Sequence, residues 1–392
     1  MERRIALVSS SFHPHTGGVE EHVRHVAAAY AAQGHRVEVW TVDRGNGLGT
    51  REVDGIEVRE LPTPLPARSV GALARFGLAL PAALRSWVAA YRSFRPEVLH
   101  VHCFGPNGLY SLGLSRLTHT PLVVSGHGET FMDDHQVFER SALLRRGLRE
   151  AGQHAAAVTA CSRMVAEDLA DNYGVSDPLV VPNGVELREG AEVRTSRPPG
   201  WWPDQGPVVG AVGRVETVKG FDLLLRAFAA VRRPGEHLVI AGEGGALAEI
   251  ERQRVDLGLA GAVVLPGRIS RPEVCWLMER STAVVVPSRV EAFGIVALEA
   301  WRGGTPLILT ENSGARDLAE DAVNAFLVDP TDVEALGATI REVIDNPAAS
   351  ALVAANGRRT VEDYTWDRVA ADYLALYDRI LGGSAEPLRP PS

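Results

Sequence analysis

The segment Ala283–Ala300 reads AVVVPSRVEAFGIVALEA. Its first four residues are apolar and mostly β-branched, which predicts a buried strand over Ala283–Val286. Small and polar residues follow. From Gly294 onward the apolar residues have helical spacing, which predicts a helix over Gly294–Arg302. A buried strand joined by a short loop to a helix is the repeating unit of a parallel α/β sheet.

The same unit recurs along the 392-residue chain. Segment 189–207 interrupts it, because this stretch is rich in Arg, Gly and Pro and lacks a periodic apolar pattern, as an interdomain linker does. Before it, strands are predicted at Ile5–Ser9, Val37–Thr41, Ile56–Leu61, Val98–His102, Leu122–Ser125, Val158–Cys161 and Leu179–Val181. After it, they are predicted at Val208–Val212, Leu238–Ala241, Val263–Leu265, Ala283–Val286, Leu307–Leu309 and Phe326–Val328.

The sequence therefore predicts two tandem, doubly wound α/β domains, with a ligand cleft between them at the carboxyl ends of the strands. Their predicted limits are 1–190 and 208–365, with 191–207 as the linker. A final helix follows over 366–381, and the proline-rich tail 382–392 is predicted to be disordered. Further helices are predicted at Val19–Gln33, Ser162–Tyr173, Phe221–Val231, Leu247–Leu257, Pro272–Arg280 and Val333–Asp345.

Composition limits the classes of function. The net charge of −9 argues against a nucleic-acid partner. The cysteines Cys103, Cys161 and Cys275 are far apart and show neither a metal-binding spacing nor a disulfide framework, which fits a reducing compartment. No apolar stretch reaches membrane length. We therefore expect a soluble, cytoplasmic protein without a structural metal.

Two cations lie on the predicted loop after strand Val208–Val212. Arg214 and Lys219 are five residues apart, and together they could bind a diphosphate and offset the charge of a leaving nucleotide. Lys219 is the only lysine among 40 Lys and Arg residues, which suggests that this position needs a compact ammonium group. The alternatives are chance for Lys219 and simple solvation for Arg214.

Two acidic residues lie in the segment quoted above. Glu291 is on the loop, and Glu299 lies eight residues further on, within the apolar part of the predicted helix. A buried carboxylate needs partners, which a ribose diol would provide for Glu299. Pairing with an arginine is an equally good explanation of Glu299.

The first strand is followed by Gly17 and Gly18 at the start of a predicted helix. Glycines there permit close approach of a ligand, and a helix N-terminus favours an anion, although a plain turn explains a Gly-Gly pair as well. Glu20, close to this position, is expected to point away or to bind acceptor hydroxyls. The dinucleotide fingerprint is absent after this strand, which argues against a dinucleotide cofactor and a dehydrogenase.

Several histidines follow strands of the first domain. His127 lies between two glycines just past a strand, where a functional role and a structural one are equally supported. His100 and His102 share one face of another strand. Such a pair can bind zinc, but no third ligand is evident at a suitable spacing, and a hydrogen-bonded structural role is favoured for His100.

Taken together, these motifs resemble the family 4 glycosyltransferases of the GT-B fold, which have two Rossmann-like domains. The resemblance extends over about Ile5–Leu381 and depends on the order of its motifs. These are Gly17-Gly18-Val19-Glu20, His127-Gly128, Val181-Pro182-Asn183-Gly184-Val185, Arg214 with Lys219-Gly220, Gly242-Glu243-Gly244, Pro266-Gly267, Pro287-Ser288, and Glu291 with Glu299.

The resemblance implies a retaining hexosyltransferase that uses a nucleotide sugar and needs no metal or other cofactor. It implies catalytic roles for His127, Arg214, Lys219 and Glu291. It also implies that the helix after Trp366 crosses back to the first domain. The donor-binding residues it implies are Gly17, Gly18, Arg214, Lys219, Gly267, Ile269, Glu291, Ala292, Phe293, Gly294, Ile295 and Glu299.

The partners expected from this resemblance are a nucleotide-sugar donor, with a UDP-sugar preferred over GDP-mannose, and a carbohydrate, natural-product or lipid-linked acceptor. Segment Leu65–Arg95 mixes apolar residues with arginines, which fits either a face near a membrane or a solvated helix. Two alternatives share the architecture: a nonhydrolysing nucleotide-sugar epimerase and a catalytically silent binding subunit. The sequence does not determine the acceptor, the oligomeric state or a peripheral location at the inner membrane face.

Overall fold

A computed structural model describes residues 2–15, 17–43, 47, 49–66, 69–132, 137–188 and 197–382. Its internal contacts divide the chain into two compact units. One unit comprises Met1–Pro182 with Trp366–Ser392, and the other comprises Asn183–Thr365. Each unit is built on its own sheet.

The first unit contains an eight-stranded sheet. In chain order its strands are β1 (Arg4–Ser9), β2 (Arg36–Val42), β3 (Thr50–Val53), β4 (Ile56–Leu61), β5 (Val98–His102), β6 (Leu122–Gly126), β7 (Ala157–Ala160) and β8 (Leu179–Val180). The spatial order is β3-β4-β2-β1-β5-β6-β7-β8, and all pairs are parallel except β3 with β4. Because β2 and β5 flank β1 on opposite sides, the strand order reverses between β1 and β5.

Helices of the first unit follow these strands. They are α1 (Gly18–Ala32), α2 (Val70–Phe94), α3 (Pro106–Thr118), α4 (Val137–Arg140), α5 (Ala142–His154), α6 (Arg163–Tyr173) and the last helix, α13 (Trp366–Ile380). The apolar residues of β1 from Ile5 to Val8 are completely buried, as expected for a central strand covered on both faces.

The second unit contains a six-stranded sheet, all of it parallel. Its strands are β9 (Val208–Val212), β10 (His237–Ala241), β11 (Val263–Gly267), β12 (Ala283–Val286), β13 (Leu307–Thr310) and β14 (Phe326–Val328), in the spatial order β11-β10-β9-β12-β13-β14. The order reverses between β9 and β12. The helices are α7 (Phe221–Val231), α8 (Leu247–Asp256), α9 (Arg271–Arg280), α10 (Ile295–Gly303), α11 (Val333–Asp345) and α12 (Pro347–Thr360).

The predicted elements are found within one or two residues of their predicted ends, and the predicted fold class is confirmed. Helices α2 to α5 had no predicted bounds, and strand β3 and helix α12 were missed. Strand β3 was missed because Thr50–Val53 is a half-exposed segment without an apolar run. Helix α12 was missed because only Asn346 separates it from α11, so that Pro347 starts a new helix where a loop would be expected.

The division into units differs from the predicted limits by a few residues. Residues 183–188 belong to the second unit, where the Val185 N–H donates to the Tyr364 carbonyl (3.0 Å). Helix α13 belongs to the first unit and packs on α1, with the Tyr30 hydroxyl donating to that of Tyr377 (3.2 Å). The first six residues of the predicted linker, 191–196, and the tail beyond Gly382 lie outside the described residues.

Helix α2 differs from the other helices in its exposure. Its first half is exposed or half-buried throughout, with Val70 and Leu78 85% and 82% exposed, and burial begins only at Ala83. The helix contains arginines but no acidic residue. Within the described part of the chain, no helix combines the length and the apolar character needed to cross a membrane.

Candidate functional site

The predicted site residues of the second unit lie on loops at the carboxyl edge of its sheet. Arg214 and Lys219 follow β9, and Glu291 follows β12, its neighbour in the sheet. The carboxyl ends of neighbouring parallel strands lie at the same edge, and the strand order reverses here. Ligands of open α/β sheets bind at such a reversal.

Lys219 and Glu291 are in direct contact. The Lys219 Nζ donates to the Glu291 Oε2, and the side chains are only 16% and 10% exposed. The Ser288 hydroxyl donates to the same oxygen at 3.1 Å. The structure therefore joins two predicted catalytic residues in one buried ion pair.

Gly220 allows the two loops to touch. Its φ is +68°, and a Cβ at this position would lie 1.9 Å from the Pro287 carbonyl oxygen. A side chain at Gly220 would push the β9 loop away from the β12 loop. The contact between Lys219 and Glu291 thus depends on a glycine next to the lysine.

Arg214 is exposed, and its guanidinium makes no hydrogen bond or ion pair with another residue of the described ranges. The backbone around it is nevertheless fixed, since the Val215 N–H donates to the Glu243 carbonyl at 2.9 Å. Arg214 therefore offers a free cation on an ordered loop, while Lys219 on the same loop is already paired.

Arg289 and Asp222 form a second link between the loops, which the sequence analysis missed. Two guanidinium nitrogens donate to the two carboxylate oxygens at 2.8 and 2.7 Å, and one also donates to the Thr217 carbonyl. Burial by itself would raise the pKa of Asp222, but the hydrogen bonds and charge of Arg289 outweigh it, and this pKa lies below its ordinary value of 3.8. The pair holds the Lys219 loop against β12.

The backbone of residues 291–294 is held by the loop after β13. The Glu291 N–H donates to the Asn312 carbonyl (2.8 Å), the Gly314 N–H donates to the Glu291 carbonyl (2.8 Å), and the Ala315 N–H donates to the Phe293 carbonyl (2.9 Å). Ala292 and Phe293 are buried.

Gly294, with φ of +88°, precedes the first residue of α10, Ile295, and no side chain caps this helix. An uncapped helix N-terminus presents free N–H groups to an anion.

Glu299 is buried in α10, and Arg271 at the start of α9 lies near it, with 3.8 Å between the guanidinium Nη1 and Oε1. The sequence offered a ribose diol or an arginine as the partner of Glu299. Arg271 is such an arginine, but it is about one-third exposed and lies beyond direct hydrogen-bonding distance. Gly267 ends β11, and Ile269 is half-buried just before α9, at the same edge of the sheet.

Gly17 and Gly18 lie where α1 begins in the first unit, and no side chain caps that helix. The Glu20 carboxylate bends back over this position, because its Oε2 would lie 2.7 Å from a Cβ on Gly17. Of the two alternatives for Glu20, pointing away is therefore wrong, and binding of acceptor hydroxyls stays a prediction. A negative side chain stabilises a helix N-terminus, and an incoming phosphate would have to displace it.

Three histidines of the first unit lie together at the reversal between β1 and β5. They are His22 on α1, His102 at the end of β5 and His127 just after β6, with 3.2 Å between the His102 Nδ1 and the His127 Nε2. Burial lowers the pKa of His102 and His127 well below the ordinary value, so both rings are neutral at pH 7. The sequence analysis missed His22, which is 80 residues from His102 and gives no local signal.

His100, on the same face of β5, has a structural role. One ring nitrogen bonds to the Tyr377 hydroxyl of α13 and the other to the Ser125 hydroxyl on β6. The structural role favoured for His100 is confirmed.

Glu129 fixes the loops that follow β5 and β6. Its two carboxylate oxygens accept the N–H groups of Phe104 (2.6 Å) and His127 (2.7 Å). Burial raises the pKa of Glu129, and these hydrogen bonds oppose that effect. The carboxylate therefore sets the spacing between His102 and His127.

Comparison with known proteins identifies the family and the fold. Residues 16–189 match the family described as "Glycosyltransferase Family 4", and residues 193–360 match that described as "Glycosyl transferases group 1". A sucrose-phosphate synthase from Thermosynechococcus elongatus superposes with a TM-score of 0.80 at 22% identity, covering 97% of this chain and 100% of that one. Anabaena Alr3699/HepE in complex with UDP and glucose superposes with a TM-score of 0.75 at 20% identity, over 96% and 99%.

The fold is thus that of the GT-B glycosyltransferases. The chain belongs to family 4 of these enzymes, as the two sequence matches show. Two relatives from Mycobacterium tuberculosis are each 28% identical: a glycogen synthase, over 98% of this chain and 96% of its own, and a GDP-mannose-dependent alpha-(1-6)-phosphatidylinositol dimannoside mannosyltransferase, over 95% of each.

Proposed function

We propose that this glycosyltransferase transfers a hexose or N-acetylhexosamine from a nucleoside-diphosphate sugar to an acceptor hydroxyl, with retention of the anomeric configuration. The observation that supports this most is the buried Lys219–Glu291 pair, next to the unpaired Arg214, where the strand order reverses. These residues provide two cations for a diphosphate and a carboxylate for sugar hydroxyls.

The two cations act on the leaving group. As the bond between the anomeric carbon and the phosphate oxygen breaks, negative charge grows on the departing nucleoside diphosphate. Lys219 uses one ammonium N–H on Glu291 and retains two for phosphate oxygens, while Arg214 offers its whole guanidinium. Both stabilise the transition state more than the bound donor, as catalysis requires.

The remaining donor contacts come from α10. Its uncapped N-terminus after Gly294 offers backbone N–H groups to phosphate or sugar oxygens. Glu291 retains acceptor sites for sugar hydroxyls, and Glu299 offers a buried carboxylate for the two ribose hydroxyls. No step in this scheme needs a metal or another cofactor.

Attack takes place on the face that the leaving group departs from. The acceptor oxygen forms its bond to the anomeric carbon on that face, and its proton passes to a phosphate oxygen of the donor. The configuration is therefore retained without a covalent enzyme intermediate. His127, held by Glu129, is proposed to contact the transferring sugar with a neutral ring.

Two relatives bear on the choice of nucleotide. A UDP-sugar is preferred, in line with the Anabaena structure with UDP and glucose, and GDP-mannose is the second candidate because one relative is named for its dependence on it. The acceptor is proposed to be a carbohydrate, a natural product or a lipid-linked sugar. The exposed first half of α2 would suit a lipid-linked acceptor.

The test is a panel of UDP-, GDP- and ADP-sugars, scored by thermal shift and by release of the nucleoside diphosphate. We expect one nucleotide series to raise Tm and to be hydrolysed slowly without acceptor, and both signals to weaken in Lys219→Ala. A sugar converted to its epimer would indicate the epimerase instead. Donor binding without release of nucleoside diphosphate with any acceptor would indicate a silent subunit.

A further inference from the structure

We propose that His22, His102 and His127 bind one divalent transition-metal ion of the kind that prefers imidazole ligands, such as Zn²⁺. This site lies entirely within the first unit and shares one residue, His127, with the proposed transfer reaction. It departs from the expectation of a chain without a structural metal. The sequence spacing showed no third ligand for the His100 and His102 pair, and the fold brings His22 to His102 and His127.

The geometry suits a three-histidine site. One ring nitrogen from each residue lies within 4.8 Å of the other two. Zinc–nitrogen bonds of about 2.0–2.1 Å in a tetrahedron place the nitrogens roughly 3.3 Å apart. The 3.2 Å between the His102 Nδ1 and the His127 Nε2 matches that spacing, and the wider separations would shorten as the rings turn about their side-chain torsions.

The His102 ring is not hydrogen-bonded at both nitrogens, as the ring of a structural histidine usually is. Its side chain is fully buried, and its Nε2 has no hydrogen-bond partner within the described ranges, although buried polar atoms are normally paired. His100 on the same strand shows the usual arrangement, with both ring nitrogens bonded. A metal ion accepts a lone pair from each imidazole, so ring nitrogens that face one another no longer need a proton between them.

The surroundings keep the three ligands in place. His102 ends β5 and His127 follows β6, and the Glu129 side chain joins the two segments by accepting the N–H groups of Phe104 and His127. The His22 ring packs edge-on against Trp366 of α13, with 5.4 Å between the ring centroids. Because the three histidines come from rigid elements, metal binding requires little further ordering of their side chains. Neighbouring groups commonly orient metal ligands in this way.

Three histidines without a fourth protein ligand leave one coordination position open. Among the described residues, no other His, Cys, Asp or Glu belongs to the group. We therefore expect binding of one ion, with water or a small anion in the fourth position.

The experiment uses the full-length, tag-free protein, stripped with chelator and dialysed. Zn²⁺ alone is titrated by calorimetry at pH 7.5, and Co²⁺ alone is followed by its visible absorption, which is intense in a tetrahedral nitrogen site. We expect one equivalent of Zn²⁺ and a tetrahedral Co²⁺ spectrum. We expect His22→Gln, His102→Gln and His127→Gln each to weaken binding at least tenfold.

The matched control is His25→Gln. His25 lies on the same helix as His22 and stacks on Trp366 with 5.1 Å between the ring centroids, but it is not part of the cluster. The His25→Gln variant should bind Zn²⁺ as tightly as the wild type does. Equal binding in His22→Gln and His25→Gln, or no stoichiometric binding by the wild type, would overturn the proposal. His127 is only half-buried, so His127→Gln serves if a variant at a fully buried position does not fold.

No nucleotide or acceptor is present in this titration. Its failure would therefore leave the proposed transfer reaction untouched, and failure of the transfer assay would leave the metal site untouched.

Discussion

The Lys219 ammonium donates to the Glu291 carboxylate, although 72 residues separate them in sequence. The contact exists because β9 and β12 are neighbours in the sheet and Gly220 lets the loops touch. It places the only lysine of the chain beside the carboxylate proposed to bind the transferring sugar. Substitutions at Lys219 therefore affect both the diphosphate contact and the orientation of Glu291.

Lys219→Ala should lower kcat by about 10²-fold or more, because the lost charge stabilises the leaving group mainly in the transition state. Lys219→Arg should recover only part of this, since a larger, planar guanidinium paired with Glu291 cannot direct its remaining N–H groups to the phosphate oxygens as a compact ammonium does. Steady-state kinetics with the preferred donor measures both. Arg226→Ala, an exposed cation on α7, is the control, and full activity in Lys219→Arg would show that the lone lysine is there by chance.

Glu299→Gln should weaken nucleoside-diphosphate binding by about tenfold while changing kcat much less, because a ribose contact is made equally in the ground and transition states. Calorimetry with UDP or GDP measures it. The matched control is Glu279→Gln on α9, outside the predicted site. If Glu299 instead serves to pair with Arg271, Glu299→Gln should lower Tm and leave nucleotide affinity unchanged.

Arg289→Ala should lower the free energy of unfolding by about 1–2 kcal/mol and reduce kcat as well, because the Arg289–Asp222 pair holds the Lys219 loop. Arg233→Ala breaks a similar two-bonded pair with Asp345 away from the site and should have a much smaller effect on both. Urea unfolding and kinetics on the same samples separate stability from activity. Unchanged kcat in Arg289→Ala would contradict the proposal that Arg289 positions the Lys219 loop.

The Arg289–Asp222 pair predicts how the free energy of unfolding depends on pH. The pKa of Asp222 is lower in the folded protein than its ordinary 3.8, so the unfolded chain binds this proton more readily. The stabilisation is present above about pH 3.8 and is lost as pH falls through the folded pKa. The difference in stability between wild type and Asp222→Asn should therefore be constant from pH 5 to 8 and shrink only below about pH 4. A difference that already declines between pH 7 and 5 would mean that another group is responsible.

Transfer should survive excess chelator and give a product with the donor's anomeric configuration, because the proposed mechanism uses Arg214 and Lys219, and no metal, to stabilise the leaving group. NMR of the product reports the configuration, and inversion would contradict the proposed mechanism. If Zn²⁺ occupies the three histidines, adding it should inhibit, because His127 is then withheld from the sugar. Loss of activity in chelator would show that transfer itself depends on a metal.

Leu78→Glu should reduce binding to anionic lipid vesicles if the exposed half of α2 meets a membrane. Leu78 is 82% exposed on a helix that has arginines and no acids. Leu352→Glu, at a 70% exposed position in the second unit, is the matched control. Co-sedimentation with the vesicles measures binding of both variants. Equal binding of the two variants would indicate that α2 faces solvent and not a membrane.

Much of the fold could be predicted because its strands are local apolar runs bounded by turn residues. The segment Ala283–Ala300 shows its strand and helix directly, and Arg214, Lys219, Glu291 and His127 could be selected because they follow strands. The Thr50–Val53 strand lacked such a run and escaped prediction, since its place depends on antiparallel pairing with β4.

The sequence by itself determined the alternation of strands and helices, the α/β class, the family and the loops that contain the candidate residues. Only the tertiary structure decided which loops meet. It paired Lys219 with Glu291 and Asp222 with Arg289, and it brought His22 to His102 and His127. The physical reason is that periodicity along the chain shows which face of a segment is buried. The order of strands in a sheet is set by packing between segments that are distant in sequence.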